Sequence, residues 1–129
     1  MAAYAFILAA AVFTILTKFP AVIYVVKRKG YYNNYNPRLQ FQEDKTVERL
    51  YAAHSNTIES FVVFSVGMLV AAQYGLSQAQ IVICGSTYFA ARFAYMFCYI
   101  KNLAWTRSSF WFLGWLASLA PIAMAMLKL

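Results

Sequence analysis

The sequence is short of acid. Four Asp and Glu stand against 11 Lys and Arg in 129 residues, and charged residues together make up only 12% of the chain. That leaves little with which to solvate the surface of a soluble domain. Cysteine and histidine are as sparse, at two and one. With no paired-ligand spacing among them, neither a disulfide framework nor a zinc site is supported. Cys84 and Cys98 fall within one apolar segment, where packing as small apolar groups accounts for them. Internal repeats and low-complexity tracts are also missing, which leaves a single domain over 1–129.

What is there is apolar. The chain is 63% hydrophobic and 19% aromatic, with a mean hydropathy of +0.57. These values make the bilayer its solvent. Apolar stretches at about 2–27, 47–74, 77–100 and 104–127 each supply the roughly 20 residues that a membrane-spanning helix needs. The fold class read from them is all-α, an integral membrane four-helix bundle. The first stretch lacks a basic leader, is too long for a signal sequence and is followed by Lys27, Arg28 and Lys29, so an uncleaved span is expected there.

Threading the loops alternately across a membrane puts Lys27, Arg28, Lys29, Arg38, Lys45, Arg49, Lys101 and Arg107 on one side and Lys128 alone on the other. Such a bias marks the cytoplasmic face, so both termini are expected outside the cytoplasm, in a bacterial inner membrane or the endoplasmic reticulum. The net charge of +7 does not point to nucleic acid, because the cations flank apolar spans and form no helical stripe or nucleic-acid motif.

The one sizeable loop, 30–45, combines turn-forming Gly, Asn and Pro with a cluster of tyrosines. It either contributes to a binding site or lies on the lipid headgroups. Between the second and third spans, Gly75 is placed to end one helix and Ser77 to cap the next, giving an antiparallel hairpin. Thr106 or Ser108 is placed to cap or begin the fourth.

Three ionisable residues fall inside the spans: Lys18, Glu59 and Arg92. A charge within a bilayer is expensive and faces a partner, a cavity or a ligand. At about 1.5 Å per residue, Arg92, Glu59 and Lys18 lie roughly 22, 21 and 24 Å from the outer edge, one level near the cytoplasmic leaflet. Either an internal salt bridge, Glu59 with Arg92 or Lys18, or a polar site open to the cytoplasm accounts for them. The spacing favours the site. Arg49, Ala52, Asn56 and Glu59 recur at i, i+3, i+7 and i+10, one stripe of a helix. Arg92, Tyr95 and Tyr99 repeat the pattern on the third span. His54 points elsewhere, which reads as a packing or headgroup-level histidine.

These stripes carry a resemblance. The segments "ERLYAAHSNTIE" and "AARFAYMFCY", with the patterns Glu-Arg, Ala-x-x-Asn-x-x-Glu and Ala-Arg-x-x-Tyr-x-x-x-Tyr in that order, resemble the MAPEG family, membrane-associated proteins of eicosanoid and glutathione metabolism. The resemblance covers nearly the whole chain. It implies a homotrimer with glutathione as co-substrate, bound between subunits near the cytoplasmic side, and a lipophilic small-molecule substrate arriving from the membrane lipids. It further implies that Asn56 and Glu59 hold the peptide's backbone and amino end, that Arg49, Arg92, Tyr95 and Tyr99 complete the site, and that Arg28, or its neighbour Lys27 or Lys29, meets a carboxylate. The segment "TRSSFW" is similar to the family segment near the thiol, which gives Arg107 and Ser108 the catalytic role of stabilising the thiolate, with Trp111 as an aromatic neighbour. Two departures stand out: Ala52 and Ser55 occupy positions where many members or one branch carry arginine. Their absence favours a general role over an eicosanoid-specific one.

A glutathione site needs cations for two carboxylates, a carboxylate for the ammonium and hydroxyl donors, which this set of residues offers. The nucleophile is the thiolate of the substrate, so no protein Cys is required. The reading is therefore a membrane glutathione transferase, or a peroxidase using the same thiol. Two others stand beside it: a small multidrug or cation transporter exchanging protons at Glu59, against which Arg92 and Lys18 lie at the same depth, and a family member that binds glutathione or lipid without turnover.

Overall fold

The computed structural model describes residues 1–128, all of them helix or connection. Five α-helices, α1 (Ala2–Leu16), α2 (Phe19–Lys29), α3 (Lys45–Gln73), α4 (Gln78–Lys101) and α5 (Ala104–Met126), build four spans, since α1 and α2 together form the first, Ala2–Lys29. The interruption has a local cause. Pro20 has no N–H to offer the Leu16 carbonyl, and its ring crowds that carbonyl. The chain tightens there, with Lys18 N–H donating to Ile15 O at 3.2 Å, before the helix resumes. The sequence reading carried the first span straight through this point, although Pro20 was its visible signal.

The bundle packs α1, α3, α4 and α5 around Phe64, Met68, Tyr88 and small residues such as Ala10, Ala71 and Ala117. Its outside is apolar as well, with Leu8, Ile15, Val62, Ile83 and Leu119 exposed, as lipid-facing helices require. Small residues set the closest approaches, the usual device where lipid gives no hydrophobic drive for helix association. At Gly67 an added Cβ would lie 2.3 Å from the Ser118 carbonyl oxygen. Here α3 and α5 touch backbone to backbone.

The caps explain where the helices stop. Gly75, at φ +62°, ends α3 beyond Tyr74. Ser77 caps α4 through a reciprocal pair, Gln80 N–H donating to Ser77 Oγ at 3.2 Å and Ser77 N–H to Gln80 Oε1 at 2.9 Å. The fourth span corrects the sequence reading: Leu103 precedes α5 without any side-chain cap, and Thr106 and Ser108 both lie inside the helix. The long loop is held in place by Gln40, which is 2% exposed and donates to Asn33 O at 3.1 Å and Pro37 O at 3.0 Å. It ends at Asp44, whose carboxylate accepts from Thr46 N–H at 2.7 Å, caps α3 and pairs with Arg28 of α2.

Two outcomes follow. Gly67→Ala forces α3 and α5 apart and costs about 1–3 kcal/mol, read as a lowered thermal midpoint in detergent. The Thr46 amide above all, with Arg28 beside it, holds the Asp44 carboxyl below its usual range against the opposing effect of burial. Since the folded-state value is depressed, this contribution is complete above the unfolded carboxylate value of about 3.9 and is lost as pH falls below it. Asp44→Asn, which still caps, should show a flatter midpoint-versus-pH curve than the parent between neutral pH and pH ~3.

Candidate functional site

Three helices deliver side chains to one cleft, between the N-terminal half of α3, the C-terminal half of α4 and the start of α5. Asn56 comes from α3, Tyr95 and Tyr99 from α4, and Arg107, Ser108 and Trp111 from α5, around a space of about 420 Å³. Helical repeats explain the convergence, because Tyr95 and Tyr99 sit one turn apart, as do Arg107 and Trp111. Asn56 spends both amide protons, on Ala52 O at 3.0 Å and on the Tyr99 hydroxyl at 3.4 Å, which leaves its carbonyl oxygen as an acceptor. The Arg107 guanidinium lies over the Tyr99 ring, 4.5 Å from its centre, and Tyr99 meets Tyr95 edge to face at 5.1 Å. Ala52 packs against the cluster that Ala53, Tyr95 and Tyr99 form beside the cleft.

Chemically the cleft suits an anion with a polar body. Arg107 is half-buried in the first turns of α5, beside the free amides of that helix start, so its charge adds to the positive end of the helix. Two phenols, an amide oxygen and the Ser108 hydroxyl, which donates to Ala104 O at 3.3 Å, supply further hydrogen-bonding groups.

Not every sequence-derived candidate joins them. Arg28 lies in a second hollow with Tyr24, Gln40 and Glu43, paired with Asp44. Arg49 stands in the first turns of α3, its Nη2 at 3.4 Å from Thr46 Oγ1. Glu59 is exposed on the α3 surface and makes no ion pair among the described residues. The internal salt bridge with Arg92 or Lys18 is therefore not what accounts for it. Arg92 is 1% exposed and lies behind the cleft, between the rings of Tyr88 at 5.6 Å and Tyr95 at 5.2 Å.

Tyr88 is the residue the sequence reading passed over. Its hydroxyl lies 3.0 Å from Ser60 Oγ, and its ring stacks on Phe64 at 3.8 Å. The signal was available, since Tyr88 precedes Arg92 by one turn on the stripe that continues to Tyr95 and Tyr99. His54 does pack: its Nδ1 lies 3.1 Å from Thr17 Oγ1, joining α3 to the break in the first span. Thr17 Oγ1 also lies 2.9 Å from Thr14 O, within the first span.

A four-span, all-helical chain with a cationic cleft at one end defines a class of integral membrane protein. Within that class the MAPEG family profile matches residues 1–127, and the chain belongs to the MAPEG family. That membership makes it a membrane protein of glutathione-related or eicosanoid metabolism. Against curated proteins the chain gives no match.

The Ser60–Tyr88 bond behind the cleft is directly testable. Ser60→Ala strands the buried phenol and should cost about 1–3 kcal/mol, whereas adding Tyr88→Phe to it should recover part of the loss in a double-mutant cycle. Additive losses in the thermal midpoints would show that the bond contributes nothing.

Proposed function

We propose that the protein is a glutathione transferase acting on lipophilic electrophiles, with reduction of lipid hydroperoxides as a second use of the same thiolate. The observation that carries this reading is the convergence of Arg107, Ser108, Asn56, Tyr95 and Tyr99 on one cleft in a chain of this family. The thiol proton is released to water as the thiolate forms beside Arg107. The sulfur then attacks an electrophilic carbon, and either a leaving group departs or the adduct takes a proton. With a hydroperoxide, two glutathiones give the disulfide, and the peroxide becomes an alcohol and water.

An unperturbed thiol has a pKa of about 8.5, so a fixed cation and a helix start beside the sulfur increase the thiolate present at neutral pH. Asn56, Tyr95 and Tyr99 orient the peptide. Glu59, exposed on a span and in no ion pair among the described residues, and Arg28 and Arg49 at the cytoplasmic end of the first hairpin serve glutathione held against a neighbouring subunit. This assigns the working form to a homotrimer with the cleft facing the cytoplasm and both termini on the other side. A carboxylate left facing lipid would be costly, which favours a neighbour covering Glu59 over a lone subunit.

The test is an ultraviolet difference titration of the detergent-solubilised protein with glutathione. A saturable thiolate band centred below the free thiol's pKa is expected. In Arg107→Ala the midpoint should rise by about one pH unit and the conjugation rate at neutral pH fall about tenfold. A parent protein with no band and no binding by calorimetry would refute the transferase reading and direct attention to proton-coupled transport at Glu59.

A further inference from the structure

Arg92 poses a problem that the cleft does not solve. Its side chain is 1% exposed, and Nε, Nη1 and Nη2 find no hydrogen-bond acceptor among the described residues. Guanidinium groups within a bilayer pair with acids or carbonyls, yet among the described residues no ion pair reaches this one. Two tyrosine rings lie against it instead, the guanidinium carbon 5.6 Å from the centre of Tyr88 and 5.2 Å from that of Tyr95. A third surface fixes its depth. A Cβ placed on Gly114 of α5 would lie 3.1 Å from Arg92 Nε and 3.2 Å from Nη2, so the guanidinium is seated against the α5 backbone where a side chain at 114 would press on it.

The contact continues outward. Tyr95 meets Tyr99 at 5.1 Å, and Tyr99 carries Arg107 at 4.5 Å. The order Tyr88, Arg92, Tyr95, Tyr99, Arg107 is thus an unbroken column of rings and guanidinium planes, one end buried in the bundle and the other in the cleft. Both cations of the column also touch or belong to α5, Arg92 at Gly114 and Arg107 seven residues earlier.

We infer that Arg92 is a positioning residue: without touching the ligand, it sets the Tyr95–Tyr99 pair and through that pair fixes the Arg107 guanidinium over the cleft. The breadth of the group is the property that matters. A guanidinium is delocalised and weakly hydrated and reaches two rings at once, whereas an ammonium is a compact, strongly hydrated point charge. Lysine at 92 therefore keeps the charge and loses the column.

This inference rests on the cleft as the anion site, but its primary readout does not need glutathione. In arginine-labelled, detergent-solubilised full chain, the Arg107 δ-protons, assigned by their loss in Arg107→Lys, should be shifted upfield by the Tyr99 ring. Arg92→Met and Arg92→Lys should both return them towards the unshifted position. Gly114→Ala, which only presses on the guanidinium, should move them part of the way in a protein that still folds. With glutathione present, Arg92→Lys should weaken binding about fivefold, the scale of one lost ring–cation contact, and raise the thiolate midpoint. An Arg107 signal unchanged in Gly114→Ala and in either Arg92 variant overturns the inference. So does full rescue by lysine, which would make Arg92 a source of charge alone. A parent that shows the ring-shifted signal, lost in the variants, but binds no glutathione would sink the transferase reading and leave the column standing.

Discussion

A guanidinium buried inside a bilayer-spanning bundle must be satisfied by the protein around it, and much of the architecture is arranged to meet that demand. Arg92 lies against the rings of Tyr88 and Tyr95 and against Gly114. Tyr88 in turn is tied to Ser60 and stacked on Phe64, so the cation's support reaches the centre of the core. Helices α3, α4 and α5 are thereby joined at one level by polar and aromatic contacts, while a second junction, Gly67 on Ser118, joins α3 to α5 through backbone alone. The cleft lies beside this double clamp, at the end of the bundle where α5 begins.

The first span is built differently. It meets α3 through Thr17 and His54 at the turn imposed by Pro20, and it meets α4 through phenylalanines, Phe13 lying 4.8 Å from Phe93. Its second half, α2, is bound to the long loop by Arg28–Asp44 and Lys29–Glu43. Two of the chain's four acids are used in these pairs, which leaves Glu48 and Glu59 as the carboxylates outside them. The scarcity of acid noted in the sequence is thus a constraint on how many cations can be neutralised within one subunit.

Much of this was legible beforehand. Long apolar runs are read directly as spans, because the bilayer imposes a length on them that no soluble core does. Gly75 and Ser77 announced the hairpin by their chemistry, and Asn56, Tyr95 and Tyr99 announced a shared face by their spacing. The rest depended on distances that spacing does not carry. Arg92 shares its stripe with Tyr95, yet its length and the glycine opposite take the guanidinium behind the cleft, and no helical wheel of α4 alone contains Gly114. Arg28 was read as a ligand for a carboxylate, and within the subunit the carboxylate it meets is the Asp44 cap of the next helix. Thr106 and Ser108 have the right chemistry for a cap but fall after the helix has begun at Ala104.

The seat of Arg92 against Gly114 also ties two positions together in the language of variation. Alanine at 114 presses on the guanidinium, and a larger side chain there would compete for the space it now fills, so arginine at 92 favours glycine on α5. A shorter residue at 92 relaxes that preference and admits a side chain on α5. Change at these two sites is therefore coupled: replacing the arginine makes replacement of the glycine easier.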